Sequence, residues 1–491
     1  MTATPAASGS RLTAAQLQAV TSLLSVPALA DELGERFAAA GRALHLVGGS
    51  VRDALLGAVS DDLDFATDAP PEVVLQLVDD WAETTWKTGI TFGTVGVFKR
   101  GMRLEITTYR TEAYVATSRQ PEVRFGTSLA EDLSRRDFTV NAMAVAVPSH
   151  EFVDLYNGVR DLAARTLRTP GSAEQSFSDD PLRMLRAARF AASLGFTVAP
   201  EVVEVMSAMA DRLHIISAER KRDELTKLIC AADPRRGLAL LVDTGLADAV
   251  LPELPKLRLT QDEHHRHKDV YEHTLIVLEQ AIGLETDGPD LVLRLAALLH
   301  DIGKPKTRSF EPGGRVSFHH HEVVGRDMAR ARLSALHYPK AVVEDVARLV
   351  ELHLRFHGYG GGKWTDAAVR RYVRDAGPLL DRLHALVRSD CTTRNKRKAA
   401  ALARSYDALV ERIDRLAAEE DLASLRPDLD GTEIMELLGL PPGRLVGAAR
   451  SHLLALRMER GPMERDEAVA ELRRWAADQG LDDVPPAAGR R

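Results

Sequence analysis

Asp62-Leu63-Asp64 is the tripeptide in this sequence with the most obvious chemistry. On a strand, side chains two apart share a face, so the alternation over Asp62–Ala66 puts both carboxylates on one side and Leu63 and Phe65 on the other. Two ionised carboxylates side by side repel unless a cation lies between them, and Mg²⁺ is the hard, oxygen-seeking choice. The run Arg103-Leu104-Glu105-Ile106-Thr107 offers a third carboxylate between apolar neighbours. A strand there, laid beside the first, would bring Glu105 to the pair. Three carboxylates around Mg²⁺ activate a hydroxyl and stabilise a leaving pyrophosphate. Upstream, Leu46-Val47-Gly48-Gly49-Ser50-Val51-Arg52-Asp53 reads as a strand, a glycine turn and a helix capped by Ser50. Free N–H groups at such a helix start favour phosphate, and Arg52 adds a guanidinium fork.

Two further segments carry paired charges. Arg135-Arg136-Asp137-Phe138-Thr139-Val140-Asn141-Ala142 sets cations and an acid before an apolar run. Asp179-Asp180-Pro181-Leu182-Arg183 leads a helix on which Arg183, Arg186 and Arg189 fall within one arc. Asp180 can cap that helix or accept a hydrogen bond and Arg183 can donate, which together could read a base edge. A second constellation comprises His273, His300-Asp301, His321, His353 and Asp390. Of sixteen histidines, eleven lie between His264 and His357, where an even spread would put about three. Imidazoles and carboxylates presented from several helices suit a divalent transition metal such as Ni²⁺, Mn²⁺ or Fe²⁺. His300 and Asp301 can serve one site only if the helix ends there, as Gly303-Lys304-Pro305 suggests. Arg394-Asn395-Lys396-Arg397-Lys398 is the densest basic cluster and suits RNA backbone phosphates. No aromatic ladder for stacking single-stranded bases is visible.

These groups need positioning elements. Short apolar runs broken by Gly and Asp predict strands at Leu44–Val47, Asp62–Ala66, Thr94–Phe98 and Arg103–Thr108. The last two are joined by a Lys99-Arg100-Gly101-Met102 turn, and Pro70-Pro71 opens a helix reaching Trp81. Past residue 165 strand signals nearly vanish and helical patterns run to the end, apart from an expected hairpin over Thr307–Phe318 shielding the second site. The pattern is a small α/β head followed by a long all-helical body. The boundaries expected are a flexible tail at 1–20, a head at 21–165, a helical base-reading and RNA-binding neck/body at 166–260, a metal domain at 261–395 and a helical tail at 396–491. The 491 residues are 45% hydrophobic and 27% charged, with net charge -7, which excludes a disordered chain and a disulfide scaffold. Bulk charge does not mark a nucleic-acid binder, so basic residues must act locally. Two distant cysteines, no secretory signal and no long apolar run predict a cytoplasmic protein without a membrane span.

In order along the chain, Gly48-Gly49-x-Val51-Arg52-Asp53, Asp62-Leu63-Asp64, Glu105 before Thr108-Tyr109-Arg110, Arg136-Asp137-Phe138-Thr139-x-Asn141-Ala142 and Asp180-x-x-Arg183 resemble the class II tRNA nucleotidyltransferase and poly(A) polymerase family. Ile216-Ser217-Ala218-Glu219-Arg220 with Glu224-Leu225 and Lys227 resembles a later helix motif of the same family. The resemblance covers residues 40 to about 250. It implies a polymerase-β-like head, a helical neck, body and tail, and addition of C, C and A to tRNA from CTP and ATP, with pyrophosphate released. It implies that Asp62 and Asp64 bind catalytic Mg²⁺, with Glu105 the third carboxylate. Gly48, Gly49, Arg52 and Arg136 would meet the nucleotide. Asp180 and Arg183 would read its base, with Arg186 and Arg189 supporting. Asp179 stands where the family usually has Glu. The segment after the metal-binding strand has only Lys87 and no arginine cluster, unlike bacterial poly(A) polymerases, so CCA addition is preferred to poly(A) synthesis. Leu298-Leu299-His300-Asp301-Ile302-Gly303-Lys304 is similar to the core of HD phosphohydrolases. That likeness implies His273, His300, Asp301 and Asp390 as direct metal ligands. It leaves His321 and His353 for a second metal or a phosphate, His357 as a weaker candidate and Lys304 on phosphate. Hydrolysis of phosphomonoesters or cyclic phosphodiesters would follow. The alternative from another class is a metal phosphohydrolase whose N-terminal half merely binds RNA.

Overall fold

A computed structural model describes residues 20–21, 26–58, 62–113, 122–126, 128–259, 269–312, 316–356, 364–393, 395–419 and 426–481. The expected N-terminal tail, His357 with the glycine loop 358–362, Arg394 and the chain end lie outside these residues. The chain divides into two units, Met1–Pro255 and Lys256–Arg491.

The first unit is built on strands β1 (Leu44–Val47), β2 (Asp62–Thr67), β3 (Thr84–Trp86), β4 (Thr94–Lys99), β5 (Met102–Thr108), β6 (Arg110–Ala113), β7 (Glu122–Phe125), β8 (Met143–Ala146) and β9 (Phe152–Asp154). Seven of these form one mixed sheet in the order β3-β4-β5-β2-β1-β8-β9, and β6 pairs with β7 separately. The β4–β5 hairpin turns at Arg100 and Gly101, both at positive φ (49° and 80°), as a two-residue turn of this hand requires. β2 and β5 run parallel, with Asp62 opposite Arg103 and Asp64 opposite Glu105. Leu63 and Phe65, pointing away from the carboxylates, are buried, as are Leu104 and Ile106. Helices Ala28–Ala39 and Pro71–Val78 pack on this sheet. The latter stops three residues short of Trp81, which is nevertheless buried.

The helical neck follows. Leu182–Leu194 packs against Ala218–Ile229 and Pro234–Asp243. Its start is fixed by Pro181 and by Asp180 Oδ1, which accepts from Leu182 N at 3.1 Å. The helix ends at Gly195 in the left-handed conformation (φ 68°).

Among the described residues the second unit is helical apart from a short hairpin, Arg308–Phe310 with Val316–Phe318. Val270–Ile282, Leu291–Leu299, His321–Ala335, Lys340–Leu352 and Leu380–Ser389 form its first half. Arg294, the one charge on the apolar helix Leu291–Leu299, is buried and forks onto Glu285 at 2.8 and 2.6 Å. Three terminal helices, Gly431–Leu438, Arg444–Arg460 and Arg465–Asp478, enclose a core of their own around Ile434, Leu453 and Leu472.

Candidate active site and metal centre

The helix after the glycine turn begins at Gly49, with Gly48 before it and no side-chain cap. The expected Ser50 cap is therefore wrong. Ser50 lies inside the first turn, where its Oγ cannot reach back to the leading N–H groups. It is spent on β2 instead, donating to Asp62 O (3.3 Å) and accepting from Asp64 N (3.0 Å). That bond ties the glycine turn to the carboxylate strand. Gly48 has φ 72°, and a Cβ there would come 2.9 Å from Arg136 Nη1 and 3.6 Å from Asp64 Oδ2. Only glycine suits both the backbone and the space.

The turn, the sheet face and the neck helix enclose one cavity of about 1230 Å³. The structure brings into its lining Gly48, Gly49, Arg52, Asp64, Glu105, Arg136, Asp180, Arg183, Arg186 and Arg189. Asp62 shares their face of the sheet but is largely exposed, 3.9 Å from Arg103 Nε. The three carboxylates do not form a group with ligand atoms within 4.8 Å of one another, although two such groups exist elsewhere among the described residues. Surrounding protein pushes the Asp64 carboxyl up to about 6; Glu105 and Asp62 push the same way and Arg136 opposes them. Such a carboxylate is one that a cation would relieve, and an all-oxygen donor set fits Mg²⁺.

The arginines are not equivalent. Arg52, buried, donates to Asn141 Oδ1 (2.6 Å) and forks onto Asp53 (2.8 and 2.9 Å). Arg136 gives Nη2 to buried Asp132 (3.1 Å), while its buried Nε has no partner. Arg183 donates to Ser176 Oγ (2.9 Å) and to the Arg135 carbonyl. Asp180 accepts from Arg220 Nη2 at 2.8 Å. Arg186 forks onto Asp137 (2.9 and 2.6 Å) and Arg189 reaches Glu224 (2.6 Å). Burial would raise the Asp137 carboxyl, but Arg186 and the Asn141 amide outweigh it and hold it at about 2. Arg186 and Arg189 thus brace the helix against Asp137 and Glu224. Arg220, Asn141, Trp86, Phe92 and Arg110 also line the cavity and were given no role from sequence. The signal for Arg220 is its place in the Ile216–Arg220 motif; for Trp86 the sequence carries none.

In the second unit His300 ends the helix Leu291–Leu299, so the chain bends where both His300 and Asp301 must point inward. Two groups gather there, each with ligand atoms within 4.8 Å: His273, His300 and Asp390, and Asp301, His321 and His353. Asp301 joins them. Its Oδ2 lies 3.2 Å from His300 Nε2 and 3.5 Å from His273 Nε2, and its Oδ1 3.3 Å from His321 Nε2. Asp390 Oδ1 is 3.0 Å from His273 Nε2. Each imidazole has its Nδ1 engaged from behind. Ala297 O (2.8 Å) holds His300, Phe318 O (2.8 Å) His321, Val350 O (2.6 Å) His353 and Thr392 Oγ1 (3.0 Å) His273. This orientation leaves every Nε2 facing the centre, as metal-ligating histidines do. The buried Nε2 of His321 makes no hydrogen bond. Burial pushes His353 down to about 3, helped by the charge on His300. At His300 burial acts in the same sense, yet Asp301 overrides it and raises the ring to about 9. Lys304 Nζ stands 2.9 Å from Asp301 Oδ2. The donor set of imidazole and carboxylate fits a pair of divalent transition ions. Lys396, Arg397 and Lys398 are exposed at the start of the helix Lys396–Glu419.

Comparison with known proteins adds to this geometry. The poly A polymerase head domain profile matches residues 44–168, "probable RNA and SrmB- binding site of polymerase A" matches 195–257, and the HD domain matches 270–419. The chain is 36% identical over 441 residues to the A-adding tRNA nucleotidyltransferase of Deinococcus radiodurans, covering 88% of this chain and 95% of that one. It is 40% identical over 254 residues to the CCA-adding enzyme of Levilactobacillus brevis, covering 50% of this chain and 62% of the relative. Among solved structures it is similar to the Bacillus stearothermophilus CCA-adding enzyme in complex with CTP. That likeness has a TM-score of 0.67 and 26% identity, over 93% of this chain and 100% of the other.

Proposed function

We propose, since this chain belongs to the tRNA nucleotidyltransferase family, that its head and neck add nucleotides to tRNA 3′ ends without a template, completing CCA from CTP and ATP. The observation that carries this reading is the register of β2 and β5, which pairs Asp64 with Glu105 at the floor of a cleft walled by the Gly48-Gly49 turn and the Asp180–Arg183 helix start. Asp62, Asp64 and Glu105 would hold Mg²⁺, which supplies charge for the attacking hydroxyl and the departing pyrophosphate. Gly48, Gly49, Arg52 and Arg136, which line the cavity, would face the triphosphate. Asp180 and Arg183 would supply an acceptor and a donor to the incoming base, Arg183 by giving up a bond to Ser176 or to the Arg135 carbonyl. Arg220 holds Asp180 until the base competes for it.

A second reading of the product has its own support: a relative matched at 36% identity over 95% of its length is A-adding, although a CCA-adding structure is matched over its whole chain at 26% identity. Extension of an acceptor RNA ending at the discriminator base, with CTP alone, ATP alone and both, decides. CCA on that RNA supports full CCA addition. Extension only of RNA already ending in CC means A addition, and long A tails mean poly(A) synthesis.

The second unit supports metal-dependent hydrolysis of phosphomonoesters or cyclic phosphodiesters. Its basis is the pair of imidazole–carboxylate groups, with Asp301 of one reaching His300 and His273 of the other. His273, His300, Asp301 and Asp390, with His321 and His353, would hold Ni²⁺, Mn²⁺ or Fe²⁺. Lys304 would steady the phosphate, and the exposed cations at 396–398 would meet RNA backbone. No helix among the described residues is long and apolar enough to cross a membrane, in keeping with a cytoplasmic site of action.

A further inference from the structure

Four side-chain positions fall on one rung across the head sheet. Trp86 on β3 is opposite Gly96 on β4, Gly96 opposite Glu105 on β5, and Glu105 opposite Asp64 on β2. Residues opposite one another in neighbouring strands share a face. Trp86 therefore stands on the catalytic face, and the place beside Glu105 is left empty by Gly96. The indole fills it: a Cβ at Gly96 would lie 1.8 Å from Trp86 Cε2. The ring rests over the backbone of β4, and strands are spaced by about 4.8 Å, so the indole comes within one strand of Glu105. Arg103, two residues before Glu105, has its guanidinium 5.3 Å from the ring centre. Phe92, 45% exposed, lines the same end of the cavity, its carbonyl held by Arg110 Nη1 at 2.6 Å.

The sides of the cavity then separate by chemistry. The glycine turn and Arg136 lie on the β1–β2 side of Glu105, where the triphosphate is placed by the function proposed above; Trp86 lies on the β3–β4 side. In-line displacement needs the attacking oxygen and the leaving pyrophosphate on opposite sides of the phosphorus. The acceptor strand therefore approaches across β4. Aromatic faces with flanking cations are how proteins grip single-stranded RNA without reading its sequence.

We propose that Trp86, laid over Gly96 and flanked by Arg103, is the stacking shelf for the 3′-terminal base of the acceptor RNA. This inference rests on the nucleotidyltransferase reading of the cleft. The shelf positions the base whose ribose carries the attacking hydroxyl; Arg103 neutralises the backbone beside it.

The test uses an acceptor-stem minihelix ending in CC, with ATP as the added nucleotide, a step that CCA-adding and A-adding enzymes share. Trp86→Leu keeps apolar bulk and loses the π face. It should raise KM for the minihelix about tenfold, as loss of one stacked base does, and leave KM for ATP within twofold. Trp86→Phe should recover most of the difference. In Asp64→Ala protein, which removes chemistry, the minihelix should quench tryptophan fluorescence, and the quench should vanish in the Asp64→Ala, Trp86→Leu double variant. An unchanged minihelix KM in Trp86→Leu, an equal rise in KM for ATP, or a quench that survives the double change overturns the shelf. Incorporation that persists in Asp64→Ala instead overturns the reading of the cleft itself. Loss of phosphatase activity as well as nucleotide addition in Trp86→Leu also counts against the shelf, since it marks a packing role.

Discussion

Asp64 sits where three forces compete: burial and two neighbouring carboxylates favour its proton, and Arg136 favours its charge. Its carboxyl is raised to about 6, so below that pH it carries a proton and offers a cation less. The Mg²⁺ concentration needed for half-maximal nucleotide addition should therefore climb as pH falls through 6, measured as Mg²⁺ titrations of initial rate at successive pH values. A Mg²⁺ requirement that stays level between pH 7 and 5 would rule this out. Asp64→Asn should cut addition by about a thousandfold or more while the acceptor RNA still binds. Gly48→Ala acts on different physics. Positive φ and the nearness of Arg136 strain any side chain there, so KM for the nucleotide should rise along with a stability loss of about 1 kcal/mol; normal KM in a stable Gly48→Ala protein would contradict the crowding.

At the scale of elements, the neck helix Leu182–Leu194 is pinned to the head by Arg183 on the Arg135 carbonyl, by Phe190 edge-on to Phe138 and by the buried fork of Arg186 on Asp137. The Asp137 carboxyl is held at about 2 against an ordinary value of 3.8. Because the folded value is depressed, the stabilisation is complete above pH 4 and is lost as pH falls from 4 through 2. The shift corresponds to about 2 kcal/mol at neutral pH. Asp137→Asn should lower the unfolding free energy of the protein by about that much at pH 7 and by much less at pH 2, read from denaturant melts. Much of this was legible in sequence. Period-two alternation gave Asp62, Asp64 and Glu105 their common face, and glycine before a helix marked the turn. Partnerships were not legible. Nothing in the spacing of Arg183, Arg186 and Arg189 says that the first meets Ser176, the second Asp137 and the third Glu224, because those partners arrive from three other segments. Ser50 fits the expected cap by type, but the cap position falls two residues earlier, at Gly48, and the Ser50 hydroxyl bonds across to β2. The hairpin 308–318 and the bend at His300 were readable because Gly and Pro mark them locally.

For the whole chain, two sites of unlike chemistry lie in two compact units. Oxygen donors alone serve the first; imidazoles dominate the second. His300→Ala should strip bound transition metal, measured by elemental analysis, and abolish phosphatase activity while nucleotide addition persists. Asp64→Ala should do the reverse. Loss of nucleotide addition in His300→Ala with an intact fold would mean the two are not independent. The rung Trp86–Gly96–Glu105–Asp64 has a consequence for how such a gene can drift. Each position comes from a different strand, and a strand shows alternate residues to alternate sides. A single-codon insertion within any of the four would therefore turn that strand's contribution to the underside and bring residues such as Leu63, Phe65, Leu104 or Ile106 out of the core, so the purpose of the cleft and the packing beneath it stand or fall together.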